Sequence, residues 1–167
     1  GDFLGELHTR DYLGSSTTFL GDHDGDGVGD IASGAYRDGD GENGTIGKEG
    51  SVWVLRLNAD GTVKSHQKIG AMEGGFDQFL DTRDNFGRGV AALGDLDGDG
   101  TGDLAVGAPA TFKAGKFLGA VWILFLNPDA TVKSYQRIIQ GEGGFTGALD
   151  DQDRFGFAVG ALGDINA

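Results

Sequence analysis

The sequence predicts an all-β protein built from repeated four-stranded antiparallel sheets. Three observations carry that expectation: the chain repeats its own text, each copy divides into four strand-like runs, and glycine stands at about three times its usual share. The 33 glycines follow no Gly-x-y period, and 38% hydrophobic with 10% aromatic residues is no disordered composition. The glycines are therefore expected in tight turns between short ordered segments. The 167 residues suffice for a domain with its own core.

The repeat is read by self-comparison. "LGDHDGDGVGDIASGAY" (20–36) returns as "LGDLDGDGTGDLAVGAP" (93–109), aligning Asp22 with Asp95, and Asp95 aligns in turn with Asp164. "GDFLGELHTRDYLG" (1–14) aligns with "GGFDQFLDTRDNFG" (74–87) and "GGFTGALDDQDRFG" (143–156). "GSVWVLRLNADGTVKSHQKI" (50–69) aligns with "GAVWILFLNPDATVKSYQRI" (119–138). The copies differ in length inside one loop, between Tyr36 and Gly50 in the first and between Pro109 and Gly119 in the second. Repeat one thus covers about 1–73, repeat two about 74–142, and a third begins over 143–167.

Each copy supplies four strands in order. The first is "YLGSSTTFLG" or "FGRGVAALG", ending at an acidic loop. The second, "DIASGAY" or "DLAVGAP", is rich in small residues, as an inner strand crowded near an axis requires. The third, "SVWVLRLN" or "AVWILFLN", is nearly continuously apolar, which suits a strand covered on both faces. Its length, Trp and Val content and flanking turn residues favour strand over buried helix. The fourth, "TVKSHQKI" or "TVKSYQRI", alternates: Val63, Ser65, Gln67 and Ile69 point one way and Lys64, His66 and Lys68 the other, as on an exposed outer edge guarded by lysines. Such sheets are the blades of a β-propeller, since only neighbouring blades can cover both faces of one. The fold expected is a partial propeller: two full repeats plus the first strand of a third, "FGFAVGALG". A pair of β-sandwiches is the rival, but each sandwich sheet needs one wet face and the third strand shows none.

A formal charge of −13, from 26 acidic and 13 basic residues, argues against nucleic acid or an anionic membrane as partner and favours cations. No cysteine is present, so disulfides and thiolate metal sites are excluded. No apolar run approaches the roughly 20 residues of a membrane span. No secretory leader is recognised, and the chain opens in mid-pattern.

The acidic loop reads D-x-D-G-D-G-x-x-D. Asp22, Asp24, Asp26 and Asp30 recur as Asp95, Asp97, Asp99 and Asp103. Positions one, three and five point into one concavity, and glycine at position six (Gly27, Gly100) permits the reversal. Position seven (Val28, Thr101) offers a carbonyl, and position nine closes the ring. An all-oxygen set of this kind is what calcium takes, with 6–8 ligands. Magnesium wants a stricter octahedron, and metals that prefer thiolate or imidazole lack their donors here. Unneutralised, so many carboxylates would repel one another and rise in pKa. The loop is no EF-hand, because Ser33 and Val106 stand where a bidentate Glu is needed and a strand follows in place of a helix. A solvated Asp-Gly turn is the plain alternative, which two nine-residue copies in one register weigh against. The third copy offers only Asp164 and Asn166, so its calcium site is expected to be incomplete.

With these residues the sequence resembles the FG-GAP repeat family, whose propeller repeats occur in integrin α-subunit heads and in many prokaryotic surface proteins. The Phe-Gly pair is Phe86-Gly87 and Phe155-Gly156, with Leu13-Gly14 a departure in the first copy. Gly107-Ala108-Pro109 is the second half of the motif, softened to Gly34-Ala35-Tyr36. The near-identical copies look more like prokaryotic arrays than an animal integrin. The resemblance implies a propeller, usually of seven blades, with calcium between the first two strands of some of them. It implies an extracellular or cell-surface setting and, as partners, other propeller blades (from a longer chain or from neighbouring subunits) and a protein or glycan ligand. Two copies and a ninth strand do not close a ring of whole blades, which favours a piece of a longer propeller over chains that complete one another.

The function expected is a non-enzymatic, calcium-stiffened module for adhesion, recognition or surface assembly. A propeller within a secreted polysaccharide-active hydrolase or lyase is an alternative, as is a structural repeat of a filament or sheath. His8, His23 and His66 occupy three different repeat positions and form no motif, with His23 read as solvent-exposed. No nucleophile elbow or HExxH is present. "DGDGENG" (38–44) is either a looser cation loop or a plain surface loop. It and "ATFKAGKFL" (110–118) differ entirely, and such variable loops are where a ligand is chosen. Trp53 and Trp122 read as core between blades. "TRD" at 9–11 and 82–84 places Arg10 and Arg83 between acids as loop braces.

Overall fold

The structure, a computed structural model, describes residues 3–39 and 48–163. Among them there is no helix. Repeat one forms β1 (Leu13–Gly21), β2 (Asp30–Ala35), β3 (Ser51–Leu57) and β4 (Val63–Ile69). Repeat two forms β5 (Gly89–Gly94), β6 (Asp103–Ala108), β9 (Ala120–Leu126) and β10 (Val132–Ile138). Both make four-stranded antiparallel sheets in chain order, β1-β2-β3-β4 and β5-β6-β9-β10. The loop after β6 adds a small hairpin, β7 (Phe112–Lys113) with β8 (Lys116–Phe117), which neither repeat pattern anticipates.

The central strands are buried as their composition demands. Every residue of β6 is buried, and a single core of Val52, Val54, Phe76, Phe86, Leu104, Val106, Trp122 and Leu124 joins the two sheets. Phe76 stacks on Phe86 at 5.3 Å and meets the edge of Trp122 at 5.1 Å. Phe3 meets Trp53 in the same way at 5.2 Å. Both tryptophans are 3% exposed, which accords with a core role.

The seam between the sheets is built from glycines. A β-carbon on Gly34 would lie 2.9 Å from the Gly87 carbonyl carbon and nearer still to its oxygen, and Gly107 meets Gly156 the same way at 2.8 Å. Phe86 N–H donates to the Glu49 carbonyl at 2.8 Å, and Phe155 N–H to the Leu118 carbonyl at 3.0 Å. Phe-Gly of one repeat therefore seats on Gly-Ala of the repeat before it.

Three expectations are corrected. The small-residue strand is not the inner one: β1 and β5 are the edges that meet, with Val90 N–H donating to Ser16 Oγ at 3.0 Å and Ala92 N–H to Thr18 Oγ1 at 3.1 Å. The small residues of β2 and β6 instead permit the backbone approach at the seam. No strand forms at "FGFAVGALG", where Phe155 makes a single bridge to Gly119. A first strand pairs only with the second strand of its own sheet, and the described third repeat has none.

On the outer-edge strand β4, Lys64 is exposed, while Lys68 lies over the Trp53 ring and pairs with buried Asp38 at 3.3 Å. Arg10 and Arg83 do not brace the Thr-Arg-Asp turns. The following aspartates do, with Asp84 Oδ2 accepting from Asp81 N–H at 3.1 Å and Asp11 from His8 N–H. Asp153 accepts from Asp150 N–H at 2.7 Å in the third copy, so this turn is common to all three. The arginines themselves are exposed, in left-handed backbone at φ 76° and 82°.

Candidate metal centres

The acidic turns join β1 to β2 and β5 to β6. Each first strand breaks register just before its turn, between Phe19 and Gly21 and between Ala92 and Gly94, which frees the chain to curl. Gly27 and Gly100 then take φ of 87° and 91°, a region closed to most side chains at low energy.

The first aspartate organises the curl. Gly27 N–H donates to Asp22 Oδ2 at 2.8 Å. Asp95 accepts three such bonds, from Gly98 at 2.8 Å and from Asp99 and Gly100 at 2.9 Å. The fifth position turns its own exit, Val28 N–H donating to Asp26 and Thr101 N–H to Asp99, both at 2.8 Å. The ninth position is buried and ties the turn to the third strand. Asp30 accepts from His23 N–H at 3.0 Å and Leu57 N–H at 2.9 Å, and Asp103 from Leu96 N–H at 2.9 Å and Leu126 N–H at 3.0 Å. Burial pushes the Asp103 carboxyl up, opposed by those two backbone donors.

Oxygens of Asp22, Asp24 and Asp30 lie within 4.8 Å of one another, as do those of Asp95, Asp97 and Asp99. Three of the four expected carboxylates are thus gathered in each turn, but not the same three. Asp26 stands outside the first triad and Asp103 outside the second.

The lysines are what the sequence reading missed. Lys64 Nζ stands 2.8 Å from Asp24 and 2.5 Å from Asp26, and Lys133 Nζ stands 2.6 Å from Asp97 and also contacts Asp99. The ammonium holds the Asp26 and Asp99 carboxyls below their ordinary range, helped by the Val28 and Thr101 N–H groups, and is itself held above the ordinary lysine range. The signal was available, because the lysine is the second residue of the fourth strand in both copies. In each turn the ammonium sets a positive charge against the carboxylates at the third and fifth positions.

His23 is a further correction. It is 8% exposed, and its Nε2 lies 3.2 Å from the Asn127 carbonyl in the β9–β10 turn, bonding the first acidic loop to the next repeat. Desolvation holds the imidazole below its usual pKa. Its counterpart Leu96 is 55% exposed among the described residues. In "DGDGENG", Asp38 accepts from Ser51 Oγ at 2.6 Å and Trp53 Nε1 at 3.2 Å, so it is engaged in the core, and 40–44 lie outside the described residues. Asp164 and Asn166 lie outside them too.

The architecture is that of a β-sheet repeat protein whose seams are Phe-Gly on Gly-Ala, with an aspartate-rich turn at the end of each first strand. Residues 86–124 match the family model described as the FG-GAP repeat. Over 151 residues, 89% of this chain, the sequence is 33% identical to integrin alpha-PS2 of Drosophila melanogaster, and the chain spans 10% of that relative's length. The chain belongs to the integrin-like FG-GAP repeat family. No helix among the described residues is long and apolar enough to cross a membrane.

Proposed function

We propose that this chain is part of an extracellular β-propeller, stiffened by calcium, that serves adhesion, recognition or surface assembly without catalytic chemistry. Its two four-stranded sheets are two blades, over about 1–73 and 74–142, and 143–167 open a third. Calcium is held by Asp22, Asp24, Asp26, Asp30 and the Val28 carbonyl in one turn, and by Asp95, Asp97, Asp99, Asp103 and the Thr101 carbonyl in the other.

The observation that carries this reading is the pair of carboxylate triads, each within 4.8 Å, on the same turn of successive repeats. Similarity to an integrin α chain supports the adhesive, cell-surface role, with further blades and a protein or glycan ligand as partners. Calcium outside cells stands near the millimolar dissociation constants of weak extracellular sites. Binding to the folded state alone adds RT ln(1 + [Ca]/Kd), about 3 kcal/mol per site at a hundredfold excess. Thermal melts in EDTA, calcium and magnesium test the reading. Chelation lowers the midpoint and calcium restores it better than magnesium, whereas one midpoint in all three buffers overturns the calcium assignment.

A further inference from the structure

At the opposite ends of the strands from the acidic turns lies a cavity of about 340 Å³. Its wall is Tyr36, Arg37, Asn85, Arg88, Arg154 and Phe157, with Pro109 and Ala110 beside them. Three of the chain's 13 Lys and Arg residues meet here, and among the described residues no carboxylate lines the wall, in a chain with 26 acids.

Two of the three guanidinium groups, those of Arg37 and Arg88, lie against rings. Arg88 lies 4.4 Å from the centre of the Phe157 ring and 5.0 Å from that of Tyr36. Arg37 lies 5.9 Å from Tyr12 and 6.0 Å from Tyr36, two rings that stack at 5.2 Å. An aromatic ring covers the face of a guanidinium and leaves the N–H donors on its edge, in the plane where an oxyanion binds. Among the described residues, none of the three side chains donates a hydrogen bond or forms an ion pair.

The neighbouring aspartates are turned to other work. Asp84 and Asp153, next in sequence to Asn85 and Arg154, accept the N–H groups of Asp81 and Asp150. Asp38, next to Arg37, faces Ser51, Trp53 and Lys68.

The wall is drawn from three repeats at positions where the copies differ. Arg37 answers to Ala110, Tyr36 to Pro109, Asn85 to Arg154 and Arg88 to Phe157. Asn85 and Arg154 both stand in left-handed backbone, at φ 58° and 55°, on the turn that leads into the Phe-Gly seat. The scaffold is shared, while the charge belongs to this one cavity.

We propose that this cavity binds an oxyanion, a carboxylate or sulfate group carried on a ligand narrow enough to enter it. Guanidinium donors pair with either group through two parallel N–H···O bonds. The acidic remainder of the surface repels a long polyanion and leaves a short anionic group as the fitting guest.

Isothermal titration of the full chain with succinate and with sulfate tests this, at constant ionic strength and saturating calcium. Each is expected to bind saturably, and at least about tenfold more weakly to the Arg37→Gln/Arg154→Gln variant. Both substituted residues are exposed, and Arg37→Gln alone is expected to weaken binding in the same direction. The Arg10→Gln/Arg83→Gln variant removes the same charge from the Thr-Arg-Asp turns and should bind like wild type. Tighter succinate binding would assign a carboxylate ligand, and tighter sulfate binding a sulfate ester. No saturable binding by wild type, or equal weakening in the two double variants, overturns the proposal. A calcium-independent melt would overturn the metal assignment and leave this result standing, because the two sites lie at opposite ends of the strands.

Discussion

Gly34 and Gly87 meet backbone to backbone, the Gly87 carbonyl filling the space that a side chain on Gly34 would need. The same meeting recurs between Gly107 and Gly156. Two halves of one sequence motif, far apart within a repeat, are thus neighbours across the boundary between repeats.

Gly34→Ala or Gly107→Ala is expected to destabilise the fold by about 3 kcal/mol, because backbone on both sides leaves little room to relax. Gly160→Ala is the control, since nothing lies within 4 Å of its added carbon. Denaturant melts of the three variants should separate the seam glycines from the control.

Asp30 and Asp97 should respond differently to metal. Asp30→Ala strands the His23 and Leu57 N–H groups and is expected to cost about 3 kcal/mol even in EDTA. Asp97→Asn should leave the EDTA melt nearly unchanged and reduce only the rise that calcium produces. If both variants lost the same stability in EDTA, Asp97 would be a turn residue and no ligand.

Removing the ammonium should help a divalent ion. Lys64 and Lys133 sit on the carboxylates that would hold calcium, so Lys64→Gln is expected to raise calcium affinity several-fold at low salt, less at high salt. Calcium titrations at two ionic strengths would read the difference. An unchanged or weaker affinity would mean that the lysine assists the turn instead of competing.

Much of this was legible in the sequence because the chain states it twice. The four strands of each repeat follow their apolar runs and turn residues closely, and the acidic turns stand where the D-x-D-G-D-G-x-x-D text puts them. What one strand could not reveal was its neighbour. Small residues in β2 can mean crowding at an axis or at a seam, and only the partner backbone at Gly87 decides. His23 looked exposed because its cover, the Asn127 carbonyl, lies in the next repeat. Arg83 looked like the brace because its charge is conspicuous, but the turn needs an acceptor, which Asp84 provides.

Asp84 should leave a mark on the pH dependence of folding. Burial raises its pKa from 3.8 to about 6, so the folded state prefers the protonated form. Its contribution is fully present below about pH 4 and is lost as the pH rises through about 6, a change of about 3 kcal/mol. Asp84→Asn keeps an oxygen for Asp81 N–H but cannot ionise. Relative to wild type, the variant should gain about that amount between pH 4 and pH 7, and parallel stability curves would refute the assignment.

Among the described residues Phe155 and Gly156 dock on the second sheet without belonging to a strand of their own. The chain emerging behind a finished repeat therefore lands on a prepared seat a short distance back along its own length. The entropy lost in closing such a loop grows only slowly with its length. Growth of the array can then run in the direction of synthesis, each new unit templated by its predecessor and none waiting for the far terminus to arrive.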